Sequence, residues 1–495
     1  MTSTIQNKLM NTTKLTLLLS SLLFIFSCEG NQKENNFKKE IESYLQEQIQ
    51  MQQIPGLALG VIKNGKVVYE GYFGKSDLET NATVSENTLF PVYSITKLMV
   101  STGVFQLIEQ HKISLEDEIS KHLENLPEHW KHIKIKNLLT HSSGLPDFYV
   151  TEGNTSDADI WSRLTNEEMH FETGNQFEYN QTNYWLLAQI IEKVTSTPFD
   201  EFIINNQFQK GTADIIFSSD LSDNSFNRAS RHEFDNEKGG YNISKIYGGK
   251  RYHAANGVNI TLKELIEWNS RLDKNELLSD EQKNNMWTPF EFGNKRDAFL
   301  HGWHTYSLKG GNAYGFTGGS QTGFRKFVQN DLTIIIFTNG YKYFSPHNDI
   351  INRVAGIIDE NLRDEKALVQ HEILAAFLTN NIEEAIEKYH LIKANNPEAE
   401  TQIEGRSSLS YESTLNALGY LVLQKNKVKD AIKILELNAA ENPKSANCFD
   451  SLGEAYYADN QLSLSKQTFE KSLALNPENN NAKRMIDLIK QQINN

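Results

Sequence analysis

The sequence predicts an α+β protein: an antiparallel sheet flanked by helices, with a helical subdomain between its two ends, followed by an all-α repeat domain. Two strand-rich blocks far apart in the chain, and a 34-residue repeat near its end, carry that prediction. The first block is "GLALGVIKNGKVVYEGYFG", Gly56 to Gly74, where apolar residues flank Asn64-Gly65, the dipeptide that favours a type I′ turn. The second is "YGFTGGSQTGFRKFVQNDLTIIIFTN", Tyr314 to Asn339, which reads as further strands with Gly-rich turns. Helical patterns fill the interval. Strands that open and close a domain around helices suit one sheet completed by both ends.

The bulk composition agrees with a two- or three-domain soluble chain. Its 495 residues are too many for one compact core. Hydrophobic content of 39% and charged content of 23% are those of a globular protein. A net charge of −14 argues against a nucleic-acid partner, which would want a basic face. Two cysteines, Cys28 and Cys448, exclude a disulfide framework.

The elements follow in chain order. Lys8 and Lys14 precede "LTLLLSSLLFIF", Leu15 to Phe26, a run suited to a signal-peptide core and too short to span a bilayer comfortably. Ile25-Phe26-Ser27-Cys28 resembles a bacterial lipobox, in which the cysteine becomes the lipidated first residue. Residues 1–28 are therefore read as a lipoprotein signal peptide and the polar residues 29–36 as a tether. The expected location is the bacterial cell envelope, lipid-anchored or periplasmic; the alternative is a plain secretory signal or uncleaved anchor with an incidental Cys28. Phe37, Ile41, Tyr44, Leu45 and Ile49 have helical spacing, and so do Val100, Val104, Leu107 and Ile108 after Lys97. Asn348 to Leu362 closes the domain, read as 37–364, with a helix.

From Glu365 to Asn495 the pattern is helical throughout. Leu418-Gly419 recurs as Leu452-Gly453, Leu435 as Phe469, and Asn442-Pro443 as Asn476-Pro477, each at an offset of 34 residues. That is the period of tetratricopeptide helix pairs, whose apolar faces only stacking can bury. Ile373 to Pro397 reads as a divergent earlier unit and Asn479 to Ile493 as a closing helix. Cys448 falls within this array as a small core residue.

Chemistry concentrates at "LFPVYSITKLMV", Leu89 to Val100, where Ser94 and Lys97 stand three residues apart. Ser-x-x-Lys alone is weak, since Ser463 and Lys466 repeat it inside the array. Ser94 differs in its setting: an aromatic, extended lead-in passes there into a helix, whose N–H groups and dipole favour developing negative charge. Lys97 lies one turn on, on the same face. Its amine acts as a base only when neutral, a state that burial promotes.

Residues 37 to 362 resemble the serine beta-lactamase-related family of class C beta-lactamases, D-alanyl-D-alanine carboxypeptidases and family VIII esterases. "IKIKNLLTHSSGLPDF", "FEYNQTNYWLLAQIIEKVTSTPF", "ANGVNITLKELIEW" and "YGFTGGSQTGF" match the family's blocks in order. The resemblance implies a beta-lactamase/transpeptidase-like fold. It makes Ser94 the nucleophile, Lys97 its base and Tyr179 the proton relay. It also implies an oxyanion hole from the backbone N–H groups of Ser94 and Gly319, with Gly319 small so that substrate can approach the strand.

Two positions depart from the family pattern. Tyr-x-Asn becomes Tyr179-Asn180-Gln181, which moves the amide one methylene outward; Asn180 is expected to point elsewhere. Lys-Thr-Gly or His-Thr-Gly becomes Phe316-Thr317-Gly318, which removes a cation beside the Tyr and the substrate carboxylate. Arg325, on the next predicted strand, is read as a solvated surface cation rather than its replacement. No His-Glu-x-x-His and no phosphate-binding Gly-rich loop occurs, and His129 and His132 lack partners at ligand spacing. No cofactor and no metal is expected.

The reading is an exported serine hydrolase that acts through an acyl-enzyme on a small ester or amide or a cell-wall peptide, more esterase-like than a true beta-lactamase. The repeats would dock a protein partner, and the lipid at Cys28 the membrane. The alternative is a catalytically lapsed penicillin-binding-like protein, or a binding protein that works through its repeats.

Overall fold

The structure, a computed structural model, describes residues 36–149, 155–221, 227–235, 237–245, 247–296, 298–308, 310–397 and 410–493. Cys28, the signal segment and nearly all of the proposed tether lie outside them. Asn36, assigned to the tether, already begins the first helix, 36–52.

The described chain forms two compact units. One runs to Glu233 and resumes over Ile243–Arg363; the other takes Phe234–Asn242 and the chain from Asp364 onward. In the first unit the strands are β1 (Gly56–Lys63), β2 (Lys66–Gly74), β3 (Phe90–Pro91), β4 (Ile215–Phe217), β7 (Val258–Ile260), β8 (His304–Leu308), β9 (Gly311–Gly318), β10 (Thr322–Phe327) and β11 (Leu332–Thr338), while His232–Asp235 and Gly240–Ile243 are β5 and β6 of a separate hairpin. The main sheet has the antiparallel order β2-β1-β11-β10-β9-β8. The two ends of the domain meet in its middle, with Leu57 opposite Thr338 and Lys63 opposite Leu332.

Side chains alternate across this sheet. Leu57, Leu59, Val61, Ile334 and Ile336 face a core shared with helix 36–52 and helix His347–Ile358, through Ile41, Leu45, Ile350 and Val354. Ala58, Ile62, Ile335, Phe337 and Phe324 face the larger core with the helical subdomain, including Leu98, Val104, Trp268 and Trp303. The expected sheet and its flanking helices are present. The small sheet β3-β7-β4 and the edge strand β8 add to them.

In the second unit, helices occupy Glu365–Thr379, Ile382–Asn395, Tyr411–Gln424, Val428–Glu441, Ala446–Ala458, Leu462–Leu475 and Asn480–Ile493. The 34-residue sequence repeat returns as repeated contacts. A Cβ on Gly419 would lie 2.5 Å from Leu435, and one on Gly453 would lie 3.0 Å from Phe469. Asn438 donates to the Glu412 carbonyl at 3.0 Å, and Ser472 to the Ala446 carbonyl at 2.8 Å, at the same offset. Tyr420 reaches from one unit to Glu454 of the next at 2.8 Å. Cys448 is fully buried in this stack, and burial pushes its thiol up to about 11.

Candidate active site

The chain enters the site through β3 and leaves it as helix Thr96–Glu109. Between them it does not stay extended. Tyr93 has φ +47°, a left-handed conformation that is costly for an aromatic residue, and Ser94 lies in a single 3₁₀ turn, Tyr93–Ile95, ahead of the helix. This corner lifts Ser94 out of the core into a cleft of about 450 Å³, lined among others by Tyr93, Tyr179, Gln181, Arg231 and Gly319.

Lys97 is buried beneath Ser94 with three polar neighbours. Its Nζ lies 2.8 Å from the Ala255 carbonyl, 3.1 Å from Gln181 Oε1 and 3.5 Å from Ser94 Oγ. A neutral amine has two hydrogens and one lone pair. Ala255 and Gln181 offer acceptors and take the hydrogens, so the lone pair is left for the hydroxyl of Ser94. Burial brings the amine down to about 7, although the carboxylate of Asp147 favours its charged form.

Tyr179 completes the group. The residue is 38% exposed and lines the cleft, while its hydroxyl donates to Ser94 Oγ at 2.7 Å. Burial raises the phenol well above its ordinary value, opposed by the Ser94 hydrogen bond. Tyr179 is therefore a protonated donor in the neutral range, with Lys97 the group poised to accept. The Lys97 Nζ lies 4.7 Å from the centre of the Tyr179 ring.

Three residues not singled out from sequence hold this arrangement. Asp147 accepts from the backbone N–H groups of Gln181 at 2.7 Å and Thr182 at 3.1 Å, and so caps helix Thr182–Thr195. His141 Nδ1 accepts from the Asn180 N–H at 3.1 Å, and its ring lies tilted against that of Tyr179 with centres 4.6 Å apart. Burial and the nearby Lys97 keep His141 neutral. The carbonyl of Ala255 anchors Lys97. Asp147, His141 and Ala255 all sat inside the quoted blocks, but nothing in their local spacing separates them from packing residues.

The departures resolve individually. Gln181 turns its amide onto Lys97. Asn180 points elsewhere, as expected, and donates to the Leu145 carbonyl at 2.6 Å. Phe316 is buried against Tyr179 and Phe299, with ring centres 6.2 and 6.1 Å away. Thr317 and Gly318 follow it on β9, Gly318 pressed close to the Val92 carbonyl.

One reading needs correction and another gains a second cause. Arg325 is 2% exposed, not a solvated cation. It pairs with Gly315 on β9, on the sheet face opposite Phe316, and donates to the Phe316 carbonyl, Thr317 Oγ1 and Asn348 Oδ1, each at 2.7 Å. Covered by the Tyr306 ring at 3.2 Å, it braces the strand from behind. Gly319 has a backbone reason to be glycine besides the expected substrate approach: it has φ +54°, and a Cβ would lie 2.6 Å from the Tyr93 ring. Its position in the cleft wall beside Ser94 is as expected.

A beta-lactamase family model matches residues 41–355. The chain is 28% identical over 181 residues to protein flp of Staphylococcus aureus (strain MRSA252), a match spanning 35% of this chain and 36% of that one. It thus spans little more than a third of that relative. Among solved structures it is similar to the octameric penicillin-binding protein homologue from Pyrococcus abyssi (TM-score 0.57, 20% identity, 68% of this chain and 81% of that one). D-amino acid amidase from Ochrobactrum anthropi SV3 (0.55, 18%, 66% and 99%) and EstCE1, a hydrolase with promiscuous acyltransferase activity (0.54, 16%, 67% and 99%), share the fold. With its sheet closed by both termini of the domain and its serine, lysine and tyrosine in one cleft, the chain belongs to the beta-lactamase family.

Proposed function

We propose that the protein is a serine acyl hydrolase. Ser94 Oγ attacks an ester or amide carbonyl while its proton passes to neutral Lys97, and the carbonyl electron pair moves onto oxygen beside the Ser94 and Gly319 N–H groups. Collapse breaks the bond to the leaving group, which receives a proton through Tyr179. Water then attacks the acyl-enzyme by the reverse relay and releases the acid. The observation that carries this reading is the buried Lys97 amine, with its two hydrogens taken by Ala255 and Gln181 and its remaining direction open to Ser94. The family's amidase and hydrolase members are compatible with either substrate class.

Esters are favoured over beta-lactams, because Phe316 offers no charge to a carboxylate beside the leaving group. The same residue motivates the rival, a lapsed site retained for binding. A fluorescent phosphonate separates them: labelling abolished by Ser94→Ala supports the hydrolase, and no labelling of the unaltered chain overturns it. We further propose export to the cell envelope through a lipid on Cys28, to be tested by mass spectrometry of the mature N-terminus; an unmodified Cys28 refutes it. The helical unit, with its 34-residue contact repeat, is proposed as a tetratricopeptide-like partner-binding array. A truncated chain that captures the same proteins as the full chain would refute that role.

A further inference from the structure

Among the described residues, the cleft carries one charge that this chemistry does not use. Arg231 lines it together with Tyr93, Ser94 and Gly319. Its guanidinium lies 5.5 Å from the centre of the Tyr93 ring, and that same ring fills the space a Gly319 side chain would need. Cation, ring, nucleophile and Gly319 are therefore contiguous. The other described charges near the site are committed: Lys97 is buried, Asp147, itself in the cleft lining, accepts backbone N–H groups, and Arg325 lies on the far face of the sheet. Arg231 donates through Nε to Glu233 at 3.0 Å, the Tyr93 hydroxyl is its other polar neighbour, and its side chain is 23% exposed. The guanidinium, whose fork matches a carboxylate, thus stands in the cleft lining beside Tyr93.

The two ends of the cleft have different chemistry. Tyr179, the donor to the leaving group, packs on uncharged Phe316. The acyl part of a substrate on Ser94 then extends the other way, past Tyr93 toward Arg231. We propose that Arg231 binds a carboxylate on the acyl part of the substrate, so that the site takes half-esters or half-amides of dicarboxylic acids in preference to neutral acyl groups. This deepens, and rests on, the acyl-hydrolase reading of Ser94. Glu233 holds the guanidinium in the absence of ligand and competes with the substrate for it.

The test uses the full chain carrying Ser94→Ala, which binds without turnover. Dissociation constants for mono-p-nitrophenyl glutarate and p-nitrophenyl valerate are measured at low salt. The charged ester is expected to bind about tenfold or more tightly. Arg231→Met should erase that ratio, and Glu233→Gln should widen it. A ratio near one in the Ser94→Ala chain, or one unmoved by Arg231→Met, overturns the proposal. Should the Arg231→Met chain fail to fold, a ratio unmoved or lowered by Glu233→Gln overturns it. These constants do not depend on nucleophilic chemistry, so absent phosphonate labelling of the unaltered chain would refute the hydrolase reading alone.

Discussion

The Lys97 amine sets a pH dependence that can be worked from its surroundings. Burial lowers it from 10.5 to about 7, equivalent to about 5 kcal/mol against the ammonium relative to water. The reactive form is the neutral one, so the rate should rise with pH through about 7 and then level. At pH 5 roughly one chain in a hundred holds a neutral Lys97, and the rate should be about a hundredfold below its plateau. Neither His141 nor Tyr179 confuses the profile between pH 5 and 9, while burial raises Asp147, whose coupling to the amine is tested separately. His141 stays neutral, since burial takes it well below its ordinary value, and Tyr179 stays protonated, since burial takes it well above. Asp147 favours the ammonium, so Asp147→Asn should move the midpoint to lower pH. The assay is the rate of phosphonate labelling of Ser94 from pH 5 to 9, read on a gel to avoid the titration of a chromogenic product. A rate flat across that range, or one that falls as pH rises through 7, would refute a neutral lysine base. An upward shift in Asp147→Asn would refute the assigned coupling.

Four further outcomes are expected. Gly319→Ala should lower kcat on p-nitrophenyl acetate by tenfold or more, because the new Cβ meets Tyr93 at 2.6 Å in a left-handed turn; unchanged kinetics would show that the turn is free to move. Phe316→Lys should raise nitrocefin turnover relative to p-nitrophenyl acetate by roughly one to two decades, the value of a charge-assisted hydrogen bond, and an unchanged ratio would remove Phe316 from the specificity argument. Gly419→Ala should destabilise the helical unit by about 1–3 kcal/mol through overpacking on Leu435, with partial recovery in the double variant with Leu435→Ala, as read by urea unfolding. Removing residues 365–495 should leave a cooperative thermal transition, since both sheet cores draw on residues up to Leu362; its loss would place the boundary elsewhere.

Local chemistry was what the sequence made legible. Asn64-Gly65 between apolar runs marked the β1–β2 hairpin, and the 34-residue spacing marked Gly419 and Gly453, and Leu435 and Phe469, as equivalent positions, which the structure pairs as Gly419 on Leu435 and Gly453 on Phe469. Ser94, Lys97 and Tyr179 were found from their blocks, and they meet in one cleft. The rest depends on contacts that no local pattern encodes. Strands β3, β4 and β7 are two or three residues long, too short for a period-2 signal. Arg325 looked exposed because its cover, Tyr306 and Asn348, lies about twenty residues away on either side. The second demand on Gly319 was invisible because nothing in sequence shows the Tyr93 ring against it. Arg231 sits outside every quoted block.

The pairing of β1 with β11 has a consequence in time. Lys63 and Leu332 are partners across the centre of the sheet, with roughly 270 residues of chain between them. At about 5–20 residues per second, a ribosome needs roughly 15–50 s to make that interval. Throughout it, the β1–β2 hairpin exists without its central neighbour, although seven of the eight residues of β1 are buried in the finished sheet. An isolated hairpin is marginally stable in water, and its apolar edge is a template for any other strand it meets. A partner that holds this edge early, well before the last strand is made, would guard the nascent chain, and its yield is expected to respond to chaperone supply more than to changes in the stability of the folded form.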